Sequence, residues 1–199
     1  MKKQWIIILI VGFMFISAKR PSPLKDEPLV LMTKKTPRKL TVLAPKPSSV
    51  IIKCAKSGLK VRYVYLFKLC KKRRFWFDKC KKERKHVNTL VYDAIANQYK
   101  VFSDSWEDGL PPVELVLSTL EDALKKVTAA ENLSLSYIGY GRKDLLFKKG
   151  YYINVRVISE CRGERSKAIA AATRVLTLGL TGGYRGDDTG WVKFIWKEQ

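Results

Sequence analysis

Histidine is almost absent from this chain: His86 is the only one in 199 residues. The four cysteines, Cys54, Cys70, Cys80 and Cys161, form no C-x-x-C pair. A structural zinc site needs closely spaced thiolates and imidazoles, so none is expected. Histidine-assisted nucleophilic catalysis would have to use His86, which sits beside Lys85 on a strand-like stretch. A satisfied or solvated ring is the better reading. The glycines of TGGYRGDDTG (181–190) lack the G-K-[ST] ending of a phosphate loop. Asp187-Asp188 lacks EF-hand spacing and reads as a turn. Gly139-x-Gly141 has no third glycine and opens no helix. Asp104, Glu107 and Asp108 read as solvated loop acids, and Asn132-Leu-Ser134 is a glycosylation sequon by pattern only. A Ser–Lys pair is not defined by spacing and is left open. No catalytic constellation emerges, so the expectation is a protein that is not an enzyme and uses no cofactor or metal.

Internal repeats are absent, and so is any long apolar run beyond the N-terminus. That single run has the form of an export segment. Met1-Lys2-Lys3 is a short positive opening, Ile6 to Ile16 is unbroken apolar sequence, and Ser17-Ala18 supplies small residues for cleavage. Trp5 to Ala18 is fourteen residues. As a helix it would be roughly 21 Å long, short of the ~30 Å hydrocarbon core. A signal peptide over residues 1–18 is therefore favoured over a spanning helix. Ile16 at the minus-three position and Lys19-Arg20 immediately after keep a short, uncleaved inner-membrane anchor as the alternative. Residues 19–27 (KRPSPLKDE) read as a linker. Residues 28–199 are long enough for one domain with a real core.

Negative charge is scarce in the front of the chain. Residues 1–50 carry ten Lys/Arg against two Asp/Glu, and residues 51–85 carry fourteen against two. Residues 86–199 carry fifteen against fourteen, so the net +21 lies almost wholly in the first 85 residues. Such a field has an anionic surface as its natural partner.

Periodicity indicates an α+β fold: an antiparallel sheet of about six strands with two or three packed helices, after the export segment. Leu29–Met32 and Leu40–Leu43 read as short strands. Ser48–Ser57 reads as a helix capped by Ser48 or Ser49, with Gly58 at its C-terminal turn. Val61, Tyr63, Tyr65, Phe67 and Leu69 share one face of a strand, with Arg62 and Lys68 on the other. Further strands are expected near His86–Tyr92, Gln98–Phe102 and Val113–Leu117. Asp104–Pro112 reads as a loop. Ser118-Thr-Leu-Glu121 reads as a capping box opening a helix with a Leu120, Ala123, Leu124, Val127 stripe. Tyr151, Ile153, Val155 and Val157 alternate as another strand. Lys167–Leu178 is helix-capable, 181–190 is a loop, and Trp191–Trp196 closes the chain as a strand.

The segment 71–85 (KKRRFWFDKCKKERK) joins two of these strands as a hairpin loop. Lys71, Lys72, Arg73, Arg74, Lys79, Lys81, Lys82, Arg84 and Lys85 surround Phe75, Trp76 and Phe77. In one reading the loop is merely solvated, with Trp76 and Phe77 folded back on the core. In the other it is an anionic-surface site, centred on these cations with Phe75 and Trp76. Basic residues near anionic lipid contribute roughly 1 kcal/mol each, and aromatics enter the interfacial zone. An acidic protein would suit the same field. Nucleic acid would use the cations on phosphate and the rings on bases, but export argues against it. Cys70 and Cys80 flank the loop and could bond across it; free thiols in an adequate core are the favoured reading.

GLKVRYVYLFKL (58–69), RRFWFDK (73–79), LVYDAIANQYKVF (90–102), STLEDALKKV (118–127), GYYINVRV (150–157) and GWVKFIW (190–196) occur in this order. Together, over roughly residues 28–196, they resemble a bacterial domain-of-unknown-function family, number four-three-nine-zero. The chain departs from it in a long loop before Trp191 and in the basic excess of 71–85. The resemblance implies an exported protein of the cell envelope, periplasmic in location, and carries over no catalytic residues. The expectation is therefore an envelope-associated binding protein. Its partner would be anionic membrane lipid or an acidic protein; its oligomeric state is not legible.

Overall fold

A computed structural model describes residues 27–32, 39–75, 77–105, 113–138, 148–162 and 186–195. The expected export segment, the 167–178 helix, the tip of the 104–112 loop, Gly139, Gly141 and Trp196 lie outside the described residues. Among the described residues no helix is long and apolar enough to cross a membrane.

The elements run β1 (Leu29–Met32), β2 (Lys39–Leu43), α1 (Ser49–Lys56), β3 (Lys60–Lys71), β4 (Lys79–Cys80), β5 (Arg84–Asp93) and β6 (Gln98–Ser105). Then follow β7 (Val113–Leu117), α2 (Leu120–Val127), β8 (Ala129–Ser134), α3 (Leu135–Ile138), β9 (Tyr151–Arg162) and β10 (Val192–Phe194). The fold is α+β, as expected, but with two sheets. Seven strands form the main antiparallel sheet in the order β10-β9-β3-β5-β6-β7, with β4 on the end of β3. A three-stranded sheet, β1-β2-β8, stands apart from it. Neither β8 nor α3 was foreseen: AAENLS has no strand alternation, and the antiparallel pairing of Leu43 with Ala129 and Leu40 with Leu133 draws it into the small sheet.

Strand β3 is the axis of the main sheet. Its odd-numbered residues from Val61 to Leu69 (Val61, Tyr63, Tyr65, Phe67 and Leu69) are all buried in the core, as their period-two spacing predicts. They pack with Ile153, Val155 and Val157 of β9, with Leu40 and Val42 of β2, and with the buried faces of all three helices. The opposite face is less polar than its sequence suggests. Val64, Leu66 and Val87 form a second, smaller buried cluster with Ile158 against it.

Helix α1 is capped by Ser48, whose hydroxyl accepts the Ile51 amide, and it ends at Gly58, where φ is +70°. Helix α2 corrects the expected capping box by one residue. Thr119, not Ser118, is the cap; its Oγ1 accepts the Asp122 amide at 3.2 Å and donates to the Asp122 carboxylate at 2.6 Å. With the cap there, Ala123 and Val127 face the core.

The favoured reading of free thiols is overturned. Cys70 is bonded to Cys80 and Cys54 to Cys161, leaving no free cysteine. Register explains the first bond: Cys70 and Cys80 stand directly opposite across β3 and β4, with Cα atoms 4.0 Å apart. The second ties α1 to the far end of β9 across a separation of 107 residues, which no local pattern reveals.

Candidate anionic-surface interface

The basic segment begins where β3 outruns its neighbour. Strand β3 pairs with β5 only as far as Phe67 opposite Arg84, yet it stays paired with β9 through Lys71 opposite Tyr151. The last turn of chain therefore projects past the β5 edge and folds back through β4. Five contacts hold it there. Cys70–Cys80 closes its base. The Lys81 amide donates to the Leu69 carbonyl at 2.9 Å, and the Lys72 amide to the Gly150 carbonyl at 2.7 Å. Asp78 accepts the Arg73 amide at 3.1 Å on one carboxylate oxygen and the buried Tyr152 hydroxyl at 2.6 Å on the other.

Those two hydrogen bonds, the Tyr152 one foremost, hold the Asp78 carboxyl below the ordinary carboxylate range. Burial, then the Asp78 hydrogen bond, pushes the Tyr152 hydroxyl up to about 12. Both groups keep the protonation state the clamp needs at neutral pH. At the other end of the segment, Tyr137 of α3 donates from its hydroxyl to the Lys85 carbonyl at 2.8 Å. The Arg84 guanidinium lies over the Tyr137 ring, 5.2 Å from its centroid.

Between these anchors the side chains face water. Lys71, Lys72, Arg73, Arg74, Lys79, Lys81, Lys82 and Lys85 are exposed; Arg84 is half-buried. Phe75 is 82% exposed and Phe77 96%. The folded-back aromatic reading thus fails for Phe77, and Trp76 lies outside the described residues. Only Asp78 and Glu83 carry negative charge in the segment, and Glu83 pairs with Lys68 at 3.5 Å. Among the described residues Lys71, Lys72, Arg73, Arg74, Lys79, Lys82 and Lys85 form no salt bridge. The loop can therefore offer unneutralised cations around exposed apolar rings to an anionic surface.

Among the described residues the other sequence candidates carry no comparable chemistry. His86 is 2% exposed; its Nε2 donates to Asn88 Oδ1 at 2.9 Å. That tautomer follows from Asn88, whose amide group must donate to the Val127 and Ala129 carbonyls. Burial depresses the His86 pKa and keeps the ring neutral. Asp188, a candidate calcium ligand by composition, is taken up by Arg156: Nε donates to Oδ1 at 2.8 Å, and the second carboxylate oxygen takes the other guanidinium branch. Residues 186–190 are not a free loop. The Thr189 amide donates to the Val157 carbonyl, the Val157 amide to Thr189 Oγ1, and the Ser159 amide to the Asp187 carbonyl. A small cleft beside them, lined by Lys46, Tyr63, Ser159, Asp187 and Thr189 among others, encloses about 10 Å³. That is room for one water molecule.

Sequence analysis gave no role to Tyr152, which alternates with the Tyr151, Ile153, Val155 and Val157 stripe of its strand. Its signal was weak: a tyrosine out of phase with the core stripe, whose distant partner Asp78 is visible only after folding.

The architecture is thus that of a disulfide-stapled antiparallel α+β protein that displays a basic hairpin. Residues 45–160 match the family described as a domain of unknown function, DUF4390, and the chain belongs to that family. The match runs from just before α1 to near the end of β9 and contains the whole hairpin. It is narrower than the resemblance over 28–196, leaving out β1, β2 and β10. No curated protein and no solved structure gives a significant match to the chain.

Proposed function

We propose that this is a non-enzymatic envelope protein, exported by its N-terminal segment, that docks on anionic membrane lipid through the 71–85 hairpin. The observation that carries this reading is the exposure of Phe75 and Phe77 amid Lys71, Lys72, Arg73, Arg74, Lys79, Lys82 and Lys85, which form no salt bridge among the described residues. A hairpin kept only for folding would turn those rings inward. An apolar tip ringed by charge matches the two-layer chemistry of a bilayer interface, headgroup phosphates above and acyl boundary below. An acidic protein would satisfy the cations and leave the rings less well used. The two disulfides support an oxidising compartment, in keeping with export to the periplasm.

Co-sedimentation with vesicles of neutral and anionic lipid tests this. The leader partitions into both without regard to headgroup, so the salt-releasable part of the binding is the quantity to compare. It should appear only with anionic vesicles and weaken as salt rises. Charge reversal at Lys71, Arg73, Arg74 and Lys82 should lower it by roughly two to three orders of magnitude. Equal salt-releasable recovery with neutral and anionic vesicles would refute the proposal.

A further inference from the structure

Strand β10 carries a second set of exposed apolar and cationic groups. Its pairing with β9 sets Val192 opposite Val155 and Phe194 opposite Ile153, both core positions. Val192 and Phe194 therefore face inward, and Trp191, Lys193 and Ile195 take the outer face. The buried residues of all three helices belong to the inner core cluster. Ile195 is 62% exposed and Trp191 36%.

This outer face is joined to the hairpin through one residue. Tyr152 lies on the outer side of β9, and its hydroxyl holds Asp78 of the hairpin. The Lys193 ammonium sits 3.8 Å from the centroid of the same Tyr152 ring, and Lys193 contributes to holding the Asp78 carboxyl down. One step along the face, Lys68 stands 4.2 Å from the Trp191 ring centroid, with the Arg156 guanidinium at 6.0 Å. Lys68 and Arg156 are paired with Glu83 and Asp188, but Lys193 has no salt bridge among the described residues. A partly exposed indole with an ammonium and a guanidinium against its ring, beside an exposed aliphatic chain and a lysine that forms no salt bridge among the described residues, repeats the hairpin's composition on a neighbouring element.

The geometry points to Trp191, Lys193 and Ile195 as a second contact with the same anionic bilayer, so that the protein rests on the surface at two points and is held in one orientation. This rests on the reading of the hairpin as the primary lipid site. Charge complementarity and continuity through Tyr152 commit the face to anionic lipid.

The test compares the full chain with Lys193→Glu, with Ile195→Ser and with the double variant. Vesicles contain anionic lipid, salt-releasable binding is measured, and thermal unfolding checks that each variant is folded. The double variant should bind about tenfold more weakly than wild type, with unchanged unfolding. Wild-type binding by a folded double variant, while hairpin charge reversal still abolishes docking, would overturn the second contact and leave the hairpin reading intact. Should hairpin reversal also leave binding unchanged, both would fall. Soluble polyglutamate is the remaining arm. If it binds wild type, loses affinity for the variants and vesicles do not bind, the face belongs to acidic protein and the lipid assignment is overturned.

Discussion

At Asp78 two donors from different parts of the chain meet one carboxylate: the Arg73 amide five residues before it and the Tyr152 hydroxyl from β9. This is the only acid inside the hairpin before Glu83, so field and geometry make opposite predictions for it. By field alone, Asp78→Ala adds one net positive charge and should tighten docking. Because the carboxylate also sets the loop's shape, we expect docking to weaken about fivefold, the cost of a lost hydrogen bond. Tighter vesicle binding by the variant would mean the clamp is irrelevant. His86 gives a pH prediction. Its folded pKa is depressed by burial, whereas the unfolded chain takes up a proton near pH 6.5. Its contribution to stability is therefore complete above that pH and declines as pH falls below it. The melting temperature should drop between pH 7 and 5, and His86→Gln should flatten that drop. A third residue is constrained by space: a Cβ on Gly186 would stand 1.5 Å from the Ser159 carbonyl oxygen. Gly186→Ala should detach the 186–190 strap from β9, seen as lost protection of the Ser159 and Val157 amides in hydrogen exchange.

Among the elements, strands with one buried face were legible and their partners were not. The alternation of Val61 to Leu69 named β3 and its inner face correctly, because period two follows from backbone geometry alone. The same pattern could not show Val64 and Leu66 buried on the outer face, since that depends on Val87 and Ile158 arriving there. Helix α2 was legible to within one residue; both Ser118 and Thr119 are chemically fit to cap, and it is Thr119 that takes the extended backbone and accepts the Asp122 amide. Thr119→Ala should cost about 1 kcal/mol in chemical denaturation, and Ser118→Ala almost nothing. The hairpin is the element on which the proposed docking depends. Replacing Cys70 and Cys80 with Ala removes a short loop closure, which should cost roughly 3 kcal/mol and loosen the loop. Replacing Cys54 and Cys161 opens a far longer one and should cost about 4–5 kcal/mol while sparing docking in whatever fraction stays folded.

For the molecule as a whole, charge and compartment work together. A strongly cationic front half would attract any polyanion it met, and in the docking we propose it is export that favours lipid over nucleic acid. N-terminal sequencing of the protein from the cell-envelope fraction should find the chain opening near Lys19; recovery from the soluble cytosol with Met1 in place would remove the basis for a membrane partner. The sequence by itself determined the charge asymmetry, the fold class and the buried stripe of β3, because each follows from composition or from short-range periodicity, and its motifs in their order carried the family resemblance that the match over residues 45–160 bears out. Tertiary structure alone decided that Cys54 meets Cys161, that Tyr152 holds Asp78, that Phe75 and Phe77 face water, and that Lys193 lies over Tyr152. Those outcomes depend on register between strands separated by tens of residues, and register is settled by burying the whole core at once rather than by any local run of sequence.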